Sequence, residues 1–236
     1  MCNCTKAQKL TALYWLGTFV LLAVALVTLL TYTPTEATMG AIQKIFYLHL
    51  PVAISTFVAC LVAFVSSIAY LTQRRPIWDD LAAASARVSV QLCSVVLITG
   101  MIWGKSAWGQ WWTWSPRLTF SLVLWLLYVV YLTVRMSIES PQRRAVVSAV
   151  YAILAFLDVP LVYLSVRLMP DIHPTSITLA PEMKVTLVLW FAAVLPLTAG
   201  LIVLKFKANQ KQRLALGEAH LEQPAEAPLR WAGGAA

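Results

Sequence analysis

Five of the ten tryptophans in this 236-residue chain lie within one short run, W-G-K-S-A-W-G-Q-W-W-T-W, at residues 103–114. We refer to this run as the Trp segment; its indoles belong to Trp103, Trp108, Trp111, Trp112 and Trp114. Each indole offers a large flat π face and one N–H donor. Several indoles together therefore suit a flat aromatic ligand. Interfacial anchoring in a membrane is the alternative interpretation.

Two histidines could supply metal ligands to such a molecule. His49 lies in Y-L-H-L-P-V-A, and His173 lies in M-P-D-I-H-P-T-S. Imidazole is an axial ligand of haem iron, and two imidazoles can hold the iron from opposite faces. Each histidine alone would also fit a polar group at a membrane interface. Zinc is less favoured, because structural zinc sites take four Cys or His ligands and catalytic sites take three protein ligands.

Haem also carries two carboxylates, which need cationic or N–H partners. Arg117 and Lys105 lie at the Trp segment, and Arg167 and Lys184 lie on either side of His173. Arg117 is the first candidate, because a guanidinium can bind a carboxylate through two parallel hydrogen bonds. A snorkelling arginine at a helix start is the alternative. The chain has no C-x-x-C-H motif, so the haem would be non-covalent haem b.

Membrane helices must position these residues. Hydrophobic residues make up 60% of the chain and charged residues 12%, and the mean hydropathy is +0.74. These values exclude an ordinary soluble domain. Six continuous apolar runs reach the length of about 20 residues that a transmembrane helix needs, and they lack the alternation of barrel strands. The predicted fold is an all-α, polytopic membrane protein with six transmembrane helices, at 10–32, 45–71, 84–103, 118–134, 146–168 and 185–206.

The distribution of Lys and Arg predicts the orientation. With the N-terminus inside, thirteen of the 18 basic residues fall on the inner side and five on the outer side. Both termini are therefore predicted to be cytoplasmic, with the Trp segment, His49 and His173 outside. This topology explains the net charge of +8, which gives no reason to expect nucleic acid as a partner. Membrane lipids are the expected surroundings.

The Trp segment is predicted to form an external amphipathic loop. A helix over 107–114 would place Trp108, Trp111 and Trp112 on one face, lying on the membrane surface. Ser115 followed by Pro116 is typical of an N-cap and the first position of a helix. The fourth span is therefore expected to begin at Pro116.

The remaining segments complete the domain prediction. Residues 1–206 are expected to form one six-helix membrane domain, and the polar residues 207–236, including His220, a disordered cytoplasmic tail. Asp158, before Pro160 in the fifth span, is expected to face the bundle interior in a structural role, with a proton or ligand relay as the alternative. Cys60 and Cys93 are interpreted as small apolar packing residues.

Together these residues resemble the CcmC family, membrane proteins that handle haem in cytochrome c biogenesis and are related to CcmF and CcsA. The resemblance covers about residues 43–204. It is carried by Y-L-H-L-P-V-A, T-G-M-I-W-G-K-S-A-W-G-Q-W-W-T-W with P-R-L-T after it, D-V-P-L-V-Y-L-S-V-R and H-P-T-S. It implies a protein of the bacterial cytoplasmic (inner) membrane that binds haem at its periplasmic face. The implied axial ligands and haem-contacting indoles are His49, His173, Trp108, Trp111, Trp112 and Trp114.

The resemblance also implies partners and a function. The partners are a periplasmic haem chaperone (CcmE-like), a small one-span protein (CcmD-like) and an ABC transporter (CcmA/CcmB-like). The function is delivery of haem to the chaperone. The family pattern usually ends W-W-x-W-D, whereas this chain has Ser115 in the last position. Serine can cap a helix but supplies no carboxylate.

Two other functions remain compatible with the sequence. A cytochrome c haem lyase like CcsA or CcmF would act on the apocytochrome directly, but such proteins usually carry more spans and histidines. A haem export channel is disfavoured because the spans contain no histidine deep in the membrane. No catalytic nucleophile or general base is evident, so a transfer protein is expected rather than an enzyme.

Overall fold

The computed structural model of the chain describes residues 6–173 and 178–222, with side chains as far as residue 216. Six of its segments are long and apolar enough to cross a membrane. This confirms the predicted all-α fold with six spans. A short 3-10 turn, Ala41–Lys44, precedes the second span. The helices are α1 (Lys6–Thr31), α2 (Ile45–Gln73), α3 (Pro76–Trp108), α4 (Pro116–Ser137), α5 (Pro141–Phe156), α6 (Asp158–Leu168) and α7 (Pro181–Glu222).

Prolines, and residues in the left-handed backbone conformation, set several helix boundaries. Pro76, Pro116 and Pro141 occupy the first turns of α3, α4 and α5. Proline suits this place because its φ is already helical and its missing N–H would have no helical partner there. At the other ends, Arg74 and Gly109 adopt positive φ angles of 56° and 76° after α2 and α3. Gly109 does so without a Cβ clash, which makes the end of α3 sharp.

The helices α2 and α3 form the centre of the bundle and share its largest interface. In a membrane, small side chains allow helix backbones to approach closely, which supports packing where the hydrophobic effect between helices is absent. Helix α7 packs on both helices of this pair and contacts α1, whereas α4 packs on α3, α5 packs on α2, and α6 packs on α4. The small buried residues include Ser55, Ala59, Ala63, Ser66 and Ser67 of α2 and Ala82, Ala83, Ala84, Ser85, Ala86 and Ser89 of α3.

The fifth span is broken into α5 and α6 at Leu157. Pro160 explains the break, because it has no N–H and its ring clashes with the carbonyl four residues earlier. Asp158 begins α6 and is buried, as expected for an interior-facing group. Among the described residues no partner hydrogen-bonds its Oδ2. Its role, structural or relay, stays a prediction.

Helix α7 continues to Glu222, which corrects the predicted start of the disordered tail at residue 207. Lys, Gln, Arg, Leu and Ala in this stretch are good helix formers. Contacts with α3 also hold it: Arg213 Nε lies 2.9 Å from Asp80 Oδ2, and Asn209 Nδ2 donates to the Asp80 carbonyl at 2.9 Å. Residues 223–236 and the side chain of His220 lie outside the described residues.

A second ionic contact joins α3 and α4 at the same end of the bundle. Arg135 donates from its two terminal nitrogens to the two carboxylate oxygens of Asp79, at 2.6 and 2.5 Å. Both side chains are largely buried. This paired geometry fixes the end of α4 against the beginning of α3, away from the Trp segment.

Candidate functional site

The Trp segment differs from the predicted amphipathic helix over 107–114. Helix α3 runs through Trp108 and ends at Gly109, and the following stretch to Ser115 is not helical. The positive φ of Gly109 turns the chain out of the helix. Lys105 fixes the turn by donating from Nζ to the Gly109 carbonyl at 3.0 Å. Trp111 and Trp112 therefore lie beyond the helix and do not share one helical face with Trp108.

An open cleft enters the bundle between α2, α3, α4 and α6 at the end that carries the Trp segment. Its empty volume, which includes space open to solvent, is about 1170 Å³. The side chains of His49, His173 and Arg117 line it together with three indoles, those of Trp103, Trp108 and Trp112. Most of the remaining lining is apolar and includes Leu50, Ile54, Phe57, Leu97, Leu118 and Val162.

The other two tryptophans of the segment are not part of this lining. Trp111 and Trp114 are 60% and 76% exposed. The Trp114 ring contacts Trp112 edge to face, with ring centroids 5.9 Å apart. The Trp segment is thus divided into three indoles that line the cleft and two that are exposed outside its lining.

Trp103 lies beside both histidines. Its indole is 3% exposed, and its ring centroid is 6.0 Å from that of His49 and 6.3 Å from that of His173. Both contacts are edge to face, with interplanar angles of 70° and 79°. Trp108 makes a similar contact with His173 at 6.4 Å. The two imidazoles, which are distant in sequence, are therefore close neighbours of one buried indole.

Two residues of α3 fix the imidazole of His49. Its Nδ1 lies 2.8 Å from the Thr99 hydroxyl, which also donates to the Val95 carbonyl at 2.7 Å. With the hydroxyl proton directed to the Val95 carbonyl, Thr99 accepts from a protonated Nδ1, and the lone pair of His49 is then on Nε2. Gly100 provides the space, since a Cβ there would lie 3.3 Å from His49 Cε1.

Arg117 contacts His173 in a different way. Its NH1 lies 3.3 Å from His173 Nδ1, and its NH2 donates to the Tyr163 carbonyl at 3.3 Å. A guanidinium can only donate. In this arrangement Nδ1 of His173 is therefore the acceptor. Both histidines thus direct Nδ1 to their neighbours, His49 as a donor to Thr99 and His173 as an acceptor from Arg117. Of the four cations considered from the sequence, Arg117 alone lines the cleft among the described residues.

Ser115 occupies the predicted N-cap position of α4, and Pro116 follows as predicted. The Ser115 side chain makes no capping hydrogen bond, however, and its Oγ has no partner among the described residues. The carboxylate at this helix start comes from Asp171 instead. Its Oδ2 accepts from the backbone N–H of Arg117 at 2.7 Å, and its Oδ1 accepts from the N–H of His173 at 2.8 Å.

Sequence reasoning missed Thr99, Gly100 and Asp171 as residues of the site. For Thr99 and Gly100 the sequence holds no signal, because their contact with His49 depends on how α2 and α3 face each other. The sequence does hold a signal for Asp171, because an aspartate side chain often accepts from the backbone N–H two residues later, which here is that of His173. Among the described residues, no group of three or more His, Cys, Asp or Glu side chains could hold a metal ion.

The sequence matches the model of one family, described as heme exporter protein C, over residues 3–219. The heme exporter protein C of Bradyrhizobium diazoefficiens is 31% identical over 182 residues, 75% of this chain and 69% of that protein. The protein of the same name from Haemophilus influenzae is 30% identical over 215 residues, 84% of each. In Paracoccus denitrificans the relative is 36% identical over 130 residues, and the match spans about half of it, 54%. This chain belongs to the CcmC, or heme exporter protein C, family.

Proposed function

We propose that this chain binds haem without a covalent bond in the cleft and delivers it to a haem chaperone during cytochrome c maturation. The observation that carries the proposal is the convergence of His49, His173 and Arg117 on one apolar cleft lined by three indoles. Imidazoles can ligate haem iron, and a guanidinium can bind a carboxylate. The printed name of the relatives, heme exporter protein C, supports haem as the cargo.

Buried polar atoms of the cleft fit a ligand that carries carboxylates. Among the described residues, Arg117 Nε, Trp103 Nε1 and Trp112 Nε1 are buried donors without a hydrogen-bond partner. Leaving a buried donor unpaired costs about 1–3 kcal/mol. Carboxylates of haem would satisfy such donors, while the apolar lining would hold the macrocycle. Both requirements of haem are thus met by residues of one cleft.

The two histidines would act in different ways. His49 presents a lone pair on Nε2 in the arrangement that Thr99 fixes, and it is ready to bind iron. His173 accepts from Arg117 through Nδ1. A haem carboxylate could replace His173 Nδ1 as the acceptor of the Arg117 guanidinium. The His173 ring could then bind the second face of the iron. Arg117 would thereby link carboxylate binding to axial ligation.

The proposal includes the surroundings of the protein. The bias of Lys and Arg supports a cleft that faces the periplasm from a bacterial inner membrane. The proposed partners are a CcmE-like chaperone, a CcmD-like one-span protein and a CcmA/CcmB-like ABC transporter. Trp111 and Trp114 are exposed, and Trp114 contacts the cleft residue Trp112. Aromatic residues are enriched in protein interfaces, so these two indoles are suitable contacts for the chaperone.

Absorption spectra of the purified full chain with haem test the binding. We expect His49→Ala and His173→Ala each to remove one axial ligand and to change the spectrum, while His220→Ala leaves it unchanged. Unchanged spectra in both cleft variants would overturn the binding site. Crosslinking with haem present tests delivery: capture of the chaperone supports it, and capture of an apocytochrome without the chaperone contradicts it.

A further inference from the structure

The carboxylate of Asp171 bridges two parts of the site that are far apart in sequence. One oxygen accepts from the backbone N–H of Arg117 in the first turn of α4, at 2.7 Å, and the other accepts from the N–H of His173, at 2.8 Å. Asp171 lies in the connection between α6, which ends at Leu168, and α7, which begins at Pro181. One side chain therefore ties the His173 segment to the helix that carries Arg117.

The start of α4 needs such a carboxylate. Pro116 has no N–H, Arg117 supplies the first N–H of the helix, and Ser115 does not cap it. The first N–H groups of a helix have no partner within the helix, and the positive end of the helix dipole favours a negative charge. The Asp171 carboxylate satisfies both conditions. Asp171 therefore serves as the anchor of its segment on α4.

The same anchor determines where His173 lies. Its backbone N–H is bound to Oδ1 of a carboxylate whose other oxygen is fixed on α4. The imidazole then lies beside Trp103 and Trp108 and against the Arg117 guanidinium. Ligands must be held within about 0.5 Å of their productive position to work well. A shift of this connection would therefore carry the imidazole away from the cleft.

We propose that Asp171 is a positioning residue, which sets the His173 imidazole in the cleft by clamping its segment to the start of α4. This inference rests on the proposed function, in which His173 is an axial ligand of haem. Asp171 thereby acts through His173, whereas the Trp segment and the two histidines are proposed to contact haem themselves.

The test uses the purified full chain with haem and compares Asp171→Ala with His173→Ala. We expect Asp171→Ala to bind haem through His49 and to show the spectrum of His173→Ala, with a haem dissociation constant raised on the order of tenfold. Asp171→Asn keeps one carbonyl acceptor, so it should retain part of the two-histidine spectrum. A wild-type spectrum in Asp171→Ala would overturn the inference.

A second variant separates positioning from simple helix capping. Ser115→Asp in the Asp171→Ala background returns a carboxylate to the start of α4 but not to His173. We expect it to recover the thermal midpoint of unfolding while the spectrum stays that of His173→Ala. Recovery of both the midpoint and the wild-type spectrum would mean that Asp171 only caps α4, which would contradict the positioning role.

Glu36 provides the matched control. It is a loop carboxylate that also accepts two backbone N–H groups, from Met39 and Thr38, and it is absent from the lining of the cleft. Glu36→Ala should leave the haem spectrum unchanged, and an equal change there would overturn the inference. If His49→Ala and His173→Ala leave the spectrum unchanged, the proposed function itself fails, whatever Asp171→Ala does.

Discussion

The Thr99 hydroxyl oxygen lies 2.8 Å from Nδ1 of His49 and 2.7 Å from the Val95 carbonyl oxygen. With the hydroxyl proton directed to Val95, Thr99 accepts from Nδ1, and Nε2 of His49 carries the lone pair. A histidine that binds a metal usually donates its other N–H to a neighbouring acceptor, which fixes its tautomer and orientation. Thr99 supplies this acceptor from α3, the helix that also leads into the Trp segment.

Replacing Thr99 tests this relationship. Thr99→Val preserves the shape of the side chain but removes the acceptor, so we expect the haem dissociation constant to rise on the order of tenfold. Thr99→Ser keeps the hydroxyl and should behave like the wild type. Haem titration followed by absorbance measures both. Equal affinities for the Val and Ser variants would contradict the role of the hydroxyl.

Gly100 tests the space around His49. A Cβ at this position would lie 3.3 Å from His49 Cε1, closer than ordinary van der Waals contact. Gly100→Ala should therefore displace the imidazole, weaken haem binding and alter the ligation spectrum, while the helix content by circular dichroism stays the same. Gly17→Ala is the matched control, because a Cβ there would have nothing within 4 Å. The prediction fails if the two variants bind haem alike.

Haem with esterified carboxylates tests the link between Arg117 and His173. The neutral ester cannot replace His173 as the acceptor of the Arg117 guanidinium. The wild-type protein should therefore bind the ester through His49 alone and show the spectrum of His173→Ala. Arg117→Met removes the donor that occupies His173 Nδ1. This variant should therefore bind the ester through both histidines. A two-histidine spectrum of the ester in the wild-type protein would disprove the link.

The contact of Asp79 with Arg135 should stabilise the bundle without affecting the cleft. Removing one partner of a buried ion pair leaves the other uncompensated, so Asp79→Ala should lower the free energy of unfolding by about 3 kcal/mol. The haem spectrum should not change, because the pair lies at the other end of α3 and α4. Thermal unfolding in detergent measures the stability. Replacing both residues by Leu should cost less than Asp79→Ala alone, and a larger cost would contradict this explanation.

Much of the fold follows from the sequence by itself. In a bilayer each backbone N–H and C=O must find a partner, and a helix supplies these partners within its own segment. Six apolar runs therefore predict six spans without knowledge of their packing. Pro116 likewise marks the start of α4, because its effects on φ and on hydrogen bonding are local. The break after α5, which the continuous apolar run over 146–168 does not predict, has the same kind of local cause in Pro160.

The contacts of the site depend on the tertiary structure. The sequence brings His49, His173 and the Trp segment to one side, but the rotation of each helix about its axis decides which side chains enter the cleft. That rotation turns Trp103 inward, and the turn at Gly109 leaves Trp111 exposed. It also places Thr99 against His49.

Two departures from the predictions have the same cause. The polar stretch after residue 206 is made of good helix formers, and Asp80, far away in sequence, holds it on α3 through Asn209 and Arg213. Ser115 makes no capping hydrogen bond, and the start of α4 is bound instead by the carboxylate of Asp171. Local sequence determined where helices form, since their hydrogen bonds are local. Only the tertiary structure decided which distant side chains bind the ends of these helices. Such contacts form only when the helices and loops are packed together.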